Sequence, residues 1–165
     1  MAMSAALRQA FNDQIALEFS AAYTYLGMAA YLESQNLDGA GHWMKVQYGE
    51  EIEHAEKFFH FLVERGERPH LAAIPEPAQS FASVEEVFAK ALEHEQKVTA
   101  AINRLYEMAS ADKDYASLPL LQWFITEQVE EEANVGRVLE RVRLGGGHPS
   151  ALLVLDRELG ARKGD

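Results

Sequence analysis

Apolar residues recur along this chain at intervals of three and four, the period of one helix face, in four long runs. The first holds Leu7, Phe11, Ile15, Glu18, Ala22, Tyr25 and Ala29, and the second Met44, Gln47, Tyr48, Glu51, His54, Ala55, Phe58 and Leu62. The third holds Val84, Phe88, Ala91, Glu95, Val98, Ile102 and Leu105, and the fourth Leu120, Phe124, Glu127, Gln128, Glu131, Val135, Val138 and Val142. Near its middle, each stripe carries a carboxylate at a position that Leu, Val or Ile would normally fill.

Capping and breaking residues divide these runs. Ser4 is a candidate N-cap for a first helix over about 4–34, and the stretch 36–41 is expected to turn. A second helix starts near Asp38 and stops by Gly66. The segment 68–81 contains Pro69, Pro75 and Pro77 and is too long for a tight turn, so it is expected to cross the length of a bundle. Ser83 followed by Glu86 is a capping-box pattern opening a third helix that runs to about Ser110. After a polar connection over 112–117, Pro119 suits the first turn of a fourth helix that ends at Gly145. Ser150 is placed as the cap of a short fifth helix over about 151–161. Its Leu152, Leu153, Val154 and Leu155 are too apolar for a free tail and imply burial against something, with assembly of several copies the expected outcome. The fold expected is all-α: one domain over 1–165, a four-helix bundle with a long crossover between helices two and three and a short fifth C-terminal helix.

The length of 165 residues suits a single core. With no cysteine, disulfides, thiolate ligands and thiol nucleophiles are excluded. The formal net charge of −11 argues against nucleic acid or anionic lipid as partners. The opening Met1-Ala2-Met3-Ser4 leads into a helix punctuated by Arg8, Asn12 and Asp13 rather than an apolar signal sequence, and no run is long enough to span a membrane. A cytoplasmic location is expected.

A single Glu at such a position is ordinarily a solvated edge residue or the partner of Lys or Arg. Here Lys45, Lys57, Lys97 and Arg104 fall off the stripes, and the anomaly recurs in all four helices at mid-length, where antiparallel helices meet. Several ionised carboxylates buried together are strongly unfavourable unless they share a cation. Glu51-x-x-His54 puts two ligands on adjacent turns of one face, the arrangement used in di-iron and di-manganese carboxylate bundles. Oxygen-rich ligation with one imidazole suits iron in both its +2 and +3 states. On this reading Glu51 and Glu131 bridge two ions, Glu18 with His54 holds one, and Glu95 with Gln128 flanks the other.

Four stretches carry a resemblance over nearly the whole chain: Glu18 with Ala22 and Tyr25; Tyr48 to Glu56, containing Glu50, Glu51 and His54; the Glu95-Gln96 pair; and Gln122 to Glu132. Together they resemble the bacterial non-haem ferritins. The resemblance implies an iron-storage protein that oxidises Fe(II) with O2 or H2O2 at a di-iron centre inside each bundle and keeps ferric oxyhydroxide in a hollow shell of twenty-four subunits. It implies Glu18, Glu51 and His54 at the first iron, Glu51, Glu95 and Glu131 at the second, and Glu50, Glu127 and Glu130 at a third, weaker site. Tyr25, by position a core aromatic, corresponds to a redox-capable tyrosine beside the centre, and Trp123 is given the same electron-supplying role. His42, His60, His70, His94 and His148 have no partners at ligand spacing and read as surface or packing residues.

Two departures point away from the haem-containing branch of that family. The fourth helix reads Glu127-x-x-Glu130 rather than a second Glu-x-x-His, and Ile52 stands where a haem-ligating methionine would be. No haem is expected. Leu118, Leu120 and Leu121 also replace the acids that line the threefold channel of eukaryotic ferritins. Two other readings remain: a di-metal carboxylate oxygenase, peroxidase or radical-generating subunit with the same ligands, and an inert helical shell protein.

Overall fold

The computed structural model describes residues 3–164, with helices α1 (Ala5–Ser34), α2 (Asp38–Glu64), α3 (Val84–Ala111), α4 (Leu118–Leu144) and α5 (Pro149–Leu159). Met1 and Ala2 of the N-terminal segment, and Asp165, lie outside the described residues. No helix is long and apolar enough to cross a membrane among the described residues.

The helix ends follow local chemistry. Ser4 Oγ accepts from the Leu7 amide at 3.1 Å, and Ser83 Oγ from the Glu86 amide at 3.1 Å. The Glu86 carboxylate reaches back one residue further than a capping box requires, to the Ala82 amide. The turn between α1 and α2 is confined to 35–37, shorter than expected, because Asn36 adopts a left-handed conformation (φ 59°) that reverses the chain at once. At the fifth helix the expected cap is corrected. His148 occupies the N-cap, Pro149 the first turn, and Ser150 is already helical.

Two apolar clusters sit at opposite ends of the bundle. One gathers Leu7, Phe11 and Ile15 of α1, Phe58 and Leu62 of α2, Val98 to Ala109 of α3, and Leu121 and Phe124 of α4. The other gathers Met28 and Leu32, Trp43 and Met44, Phe88 and Ala91, and Val135 and Leu139. This pairing makes α1 antiparallel to α2 and α3, with α3 antiparallel to α4. The helices α2 and α3 therefore run the same way, and the chain must return the length of the bundle between them. It does so along α1: the His70 amide donates to Asn12 Oδ1 at 2.8 Å, and Ala78 packs against Gly27, about four turns on. Gly27 leaves room for it, since an added Cβ would lie 3.2 Å from the Ala78 carbonyl oxygen.

The stripes are buried as the periodicity predicts over most of their length, but Tyr48, Val84, Glu127 and Val142 are only half-buried. Leu121 rather than Leu120 heads the buried row of α4. The fifth helix also differs in part from expectation. Leu155 and Leu159 join the apolar cluster of their own bundle and Leu152 packs beside them, whereas Leu153 is 62% and Val154 51% exposed. Half of the run that implied assembly is thus consumed within the subunit.

Candidate metal centre

Between the two apolar clusters lies a polar layer. Glu18, Gln47, Glu51, His54, Glu95, Gln128 and Glu131 are all buried there, drawn from all four helices of the bundle. Ligating atoms converge in two groups, each within 4.8 Å: Glu18, Glu51 and His54 form one, and His54, the half-buried Glu127 and Glu131 the other, while Glu95, expected at the second ion, belongs to neither. His54 belongs to both. Its Nδ1 lies 3.4 Å from Glu51 Oε2 and its Nε2 3.9 Å from Glu127 Oε1. Below it, Phe58 and Phe124 stack at 4.0 Å and close the layer toward the apolar end.

Amides hold the carboxylates. Gln14 Nε2 donates to Glu18 Oε1 at 2.8 Å, and Gln47 Nε2 to Glu131 Oε2 at 2.7 Å and Glu51 Oε1 at 3.2 Å. Gln128 Nε2 donates to Glu95 Oε2 at 3.2 Å, and the Tyr25 hydroxyl donates to Glu95 Oε1. Glu18 Oε2 is buried without any hydrogen-bond partner. Gln14 and Gln47 have roles that the stripes alone did not assign, but the signal is present: each lies four residues before an inward Glu, on the same face.

The electrostatics are those of a cation site. Among the described residues no Lys or Arg forms an ion pair with Glu18, Glu51, Glu95 or Glu131, and Lys45, Lys57, Lys97 and Arg104 are exposed. Burial, reinforced by the Glu51 charge, pushes Glu18 well above the usual carboxylate range. Burial and neighbouring carboxylates likewise push Glu95 and Glu131 up to about 8. For His54, burial disfavours the charged ring, but Glu51, Glu131 and Glu127 outweigh it and its pKa is raised. Tyr25 is pushed up by burial and by Glu95, so its hydroxyl keeps its proton. A divalent cation would replace those protons without leaving buried charge uncompensated, and an oxygen-rich donor set with one imidazole suits iron.

The remaining sequence-derived residues are placed differently. Glu50 is bound by Arg162, whose Nη2 lies 2.6 Å from its Oε2, and Glu130 is exposed. Neither joins Glu127 in a ligand group. Trp123 is 39% exposed, edge-on to His54 at 5.8 Å, with Lys57 Nζ 3.7 Å from its ring centroid. A cation over the indole face holds its π electrons and opposes their loss. His94 is half-buried; burial lowers its pKa, and its Nε2 has no hydrogen-bond partner.

Residues 8–145 match the family model described as a ferritin-like domain. A bacterial non-heme ferritin of Staphylococcus aureus (strain USA300) is 36% identical over 163 residues, covering 99% of this chain and 98% of that protein. The chain belongs to the ferritin family. A bacterial non-heme ferritin of Staphylococcus haemolyticus is equally similar, at 36% over the same span. Among solved structures, an open pore ferritin from the hyperthermophilic archaeon Archaeoglobus fulgidus superposes with a TM-score of 0.97 at 44% identity, covering 98% of this chain and all of that one. The all-helical architecture with a fifth C-terminal helix is thus the family fold, and the polar layer falls within the matched domain.

Proposed function

We propose that the protein stores iron, oxidising Fe(II) at the polar layer and keeping the ferric product inside a shell built of its own copies. The observation that carries this reading is a set of buried carboxylates sharing His54 with no cation of their own, one with an unpartnered oxygen within the layer. Two adjacent cation positions suit an oxidant that takes electrons in pairs. Two Fe(II) ions each lose one electron; O2 with two protons becomes H2O2, or H2O2 with two protons becomes two waters. Glu18, Glu51 and His54 hold one iron, and Glu51, Glu131 and Glu95 the other, with Gln128 orienting Glu95. Tyr25 supplies a proton donor to Glu95 and a source of a further electron, and Trp123, restrained by Lys57, is a secondary source. The iron is substrate and passes on to the mineral.

The test is aerobic addition of Fe(II) to the metal-free protein. About two ions per subunit should oxidise in a fast phase, with slower uptake beyond that as mineral grows. Iron oxidation that shows no break near two per subunit, or that requires an organic substrate, would favour the di-metal oxygenase reading. A third, weaker iron position at Glu127 with Glu130 and Glu50 belongs to the same proposal, and to form it Glu50 must leave Arg162. On this basis Glu130→Ala should leave the fast phase nearly intact and change the iron-to-oxygen ratio of later turnover, measured with an oxygen electrode. The shell, twenty-four subunits by the family resemblance, is tested by light scattering: a monodisperse monomer under native conditions would remove the storage compartment.

A further inference from the structure

The C-terminal segment does more than cover the end of the bundle. The helix α5 docks on the start of α2: Asp156 Oδ1 accepts from the Ala40 amide at 2.8 Å, capping α2 from outside. The two backbones approach so closely at Gly39 that an added Cβ would lie 1.8 Å from the Asp156 carbonyl oxygen. The Arg162 carbonyl then meets His42 Nε2 at 2.8 Å, which fixes the chain just past α5. From there the Arg162 side chain crosses the Trp43 ring, 4.3 Å from its centroid. It ends on two acceptors: Nη1 donates to Gln47 Oε1 at 2.9 Å and Nη2 to Glu50 Oε2 at 2.6 Å.

The Gln47 contact matters because an amide has a donor end and an acceptor end. Gln47 is fully buried, and its nitrogen faces Glu51 and Glu131, two of the carboxylates assigned above to the metal centre. Turned over, it would set its oxygen against two carboxylates and its NH2 against a guanidinium. The planar guanidinium of Arg162 offers donors and no acceptor, so it permits only one orientation. We propose that Arg162 is a positioning residue for the metal centre: acting through Gln47, it holds Glu51 and Glu131 in the geometry that receives a cation. This inference rests on the ferroxidase reading. It makes the docking of α5 a condition for a well-formed centre whose Gln47 lies 115 residues earlier in the chain.

The test uses Co(II), an oxygen-rich-site probe that reports its coordination by visible absorption, titrated into the assembled protein by calorimetry. Removing partners one step out from a metal ligand typically weakens binding about 10–100-fold. Arg162→Met should weaken Co(II) binding by about 10-fold and alter the visible spectrum of the bound ion, while light scattering still reports the wild-type assembly. Gln47→Leu should do the same, and adding Arg162→Met to it should change little more, because both act along one path. If Arg162→Met disrupts assembly, Arg162→Lys carries the test, since one ammonium group cannot reproduce the two-pronged contact. Wild-type affinity and spectrum in an assembled Arg162 variant, or fully additive losses in the double variant, would overturn the proposal. Failure of the wild-type protein to bind Co(II) would instead remove the metal-centre reading beneath it.

Discussion

Replacing Glu51 and His54 together by Ala should abolish the rapid phase of Fe(II) oxidation, slowing it by at least about 100-fold, since loss of mere supporting groups already costs up to that much. His54 is common to both ligand groups, and Glu51 joins it in the first while accepting from Gln47 beside Glu131. No other imidazole is in either group, and the remaining acids would have to hold two cations without it. Stopped-flow absorbance after a pulse of two Fe(II) per subunit measures the effect, with light scattering to confirm assembly. A fast phase that survives in an assembled double variant would place the catalyst elsewhere.

The second large effect is on the stability of the metal-free protein, which should fall as pH rises from about 5 to about 8. The sign follows from proton uptake. Glu95 and Glu131 titrate near 8 in the folded chain, pushed there chiefly by burial, and Glu18 is also raised; unfolded, all three lose their protons near 4.3. Between those values the folded state holds protons that the unfolded state has released, so each step up in pH favours unfolding. His54, also raised, acts in the same direction. A tenfold difference in proton affinity between the folded and unfolded chain is worth about 1.4 kcal/mol, so several kcal/mol are at stake even after discounting for coupling. On the order of 10 °C in Tm should be lost across this interval. Asp114, held below its usual value by Arg65, has the opposite effect only in more acidic solution. Adding a redox-inert cation such as Zn(II) at pH 8 should reverse the loss and release protons, and Glu131→Gln should flatten the profile. A Tm that is level from pH 5 to 8 in the metal-free protein would contradict the raised carboxylates.

Much of this arrangement is legible in the sequence because helical periodicity is local. Glu18, Glu51, His54, Glu95, Gln128 and Glu131 all fall on stripes whose other members are apolar, and all are buried. Where the reading slips, the cause lies in geometry that periodicity does not encode. Leu120 and Leu121 are both apolar, and only the rotation of α4 against its neighbours selects the second. Ser150 has the chemistry of a cap, yet Pro149 already meets the needs of a first helical turn and starts the helix earlier. The apolar run of α5 reads as one surface, but a helix turns its residues apart, so Leu155 faces in while Leu153 faces out. Periodicity is silent on Arg162, because nothing near it in sequence marks it as a neighbour of Gln47. Glu50 and Glu130 sit beside true stripe residues, and one position of rotation is enough to turn them toward Arg162 and solvent.

The separation of the two apolar clusters by a polar layer means that the bundle is mechanically two short bundles joined end to end. Dispersion and burial hold each half together, but the joint of the metal-free chain is held by hydrogen bonds to carboxylates from the Gln14, Gln47 and Gln128 amides, the Tyr25 hydroxyl and His54, and it leaves one Glu18 oxygen unsatisfied. Iron would act there as a keystone, drawing all four helices onto a common point at mid-span. The same carboxylates that repel one another at the joint without a cation would bind the four helices together with one, so loading and release of iron would tighten and loosen the chain at its waist.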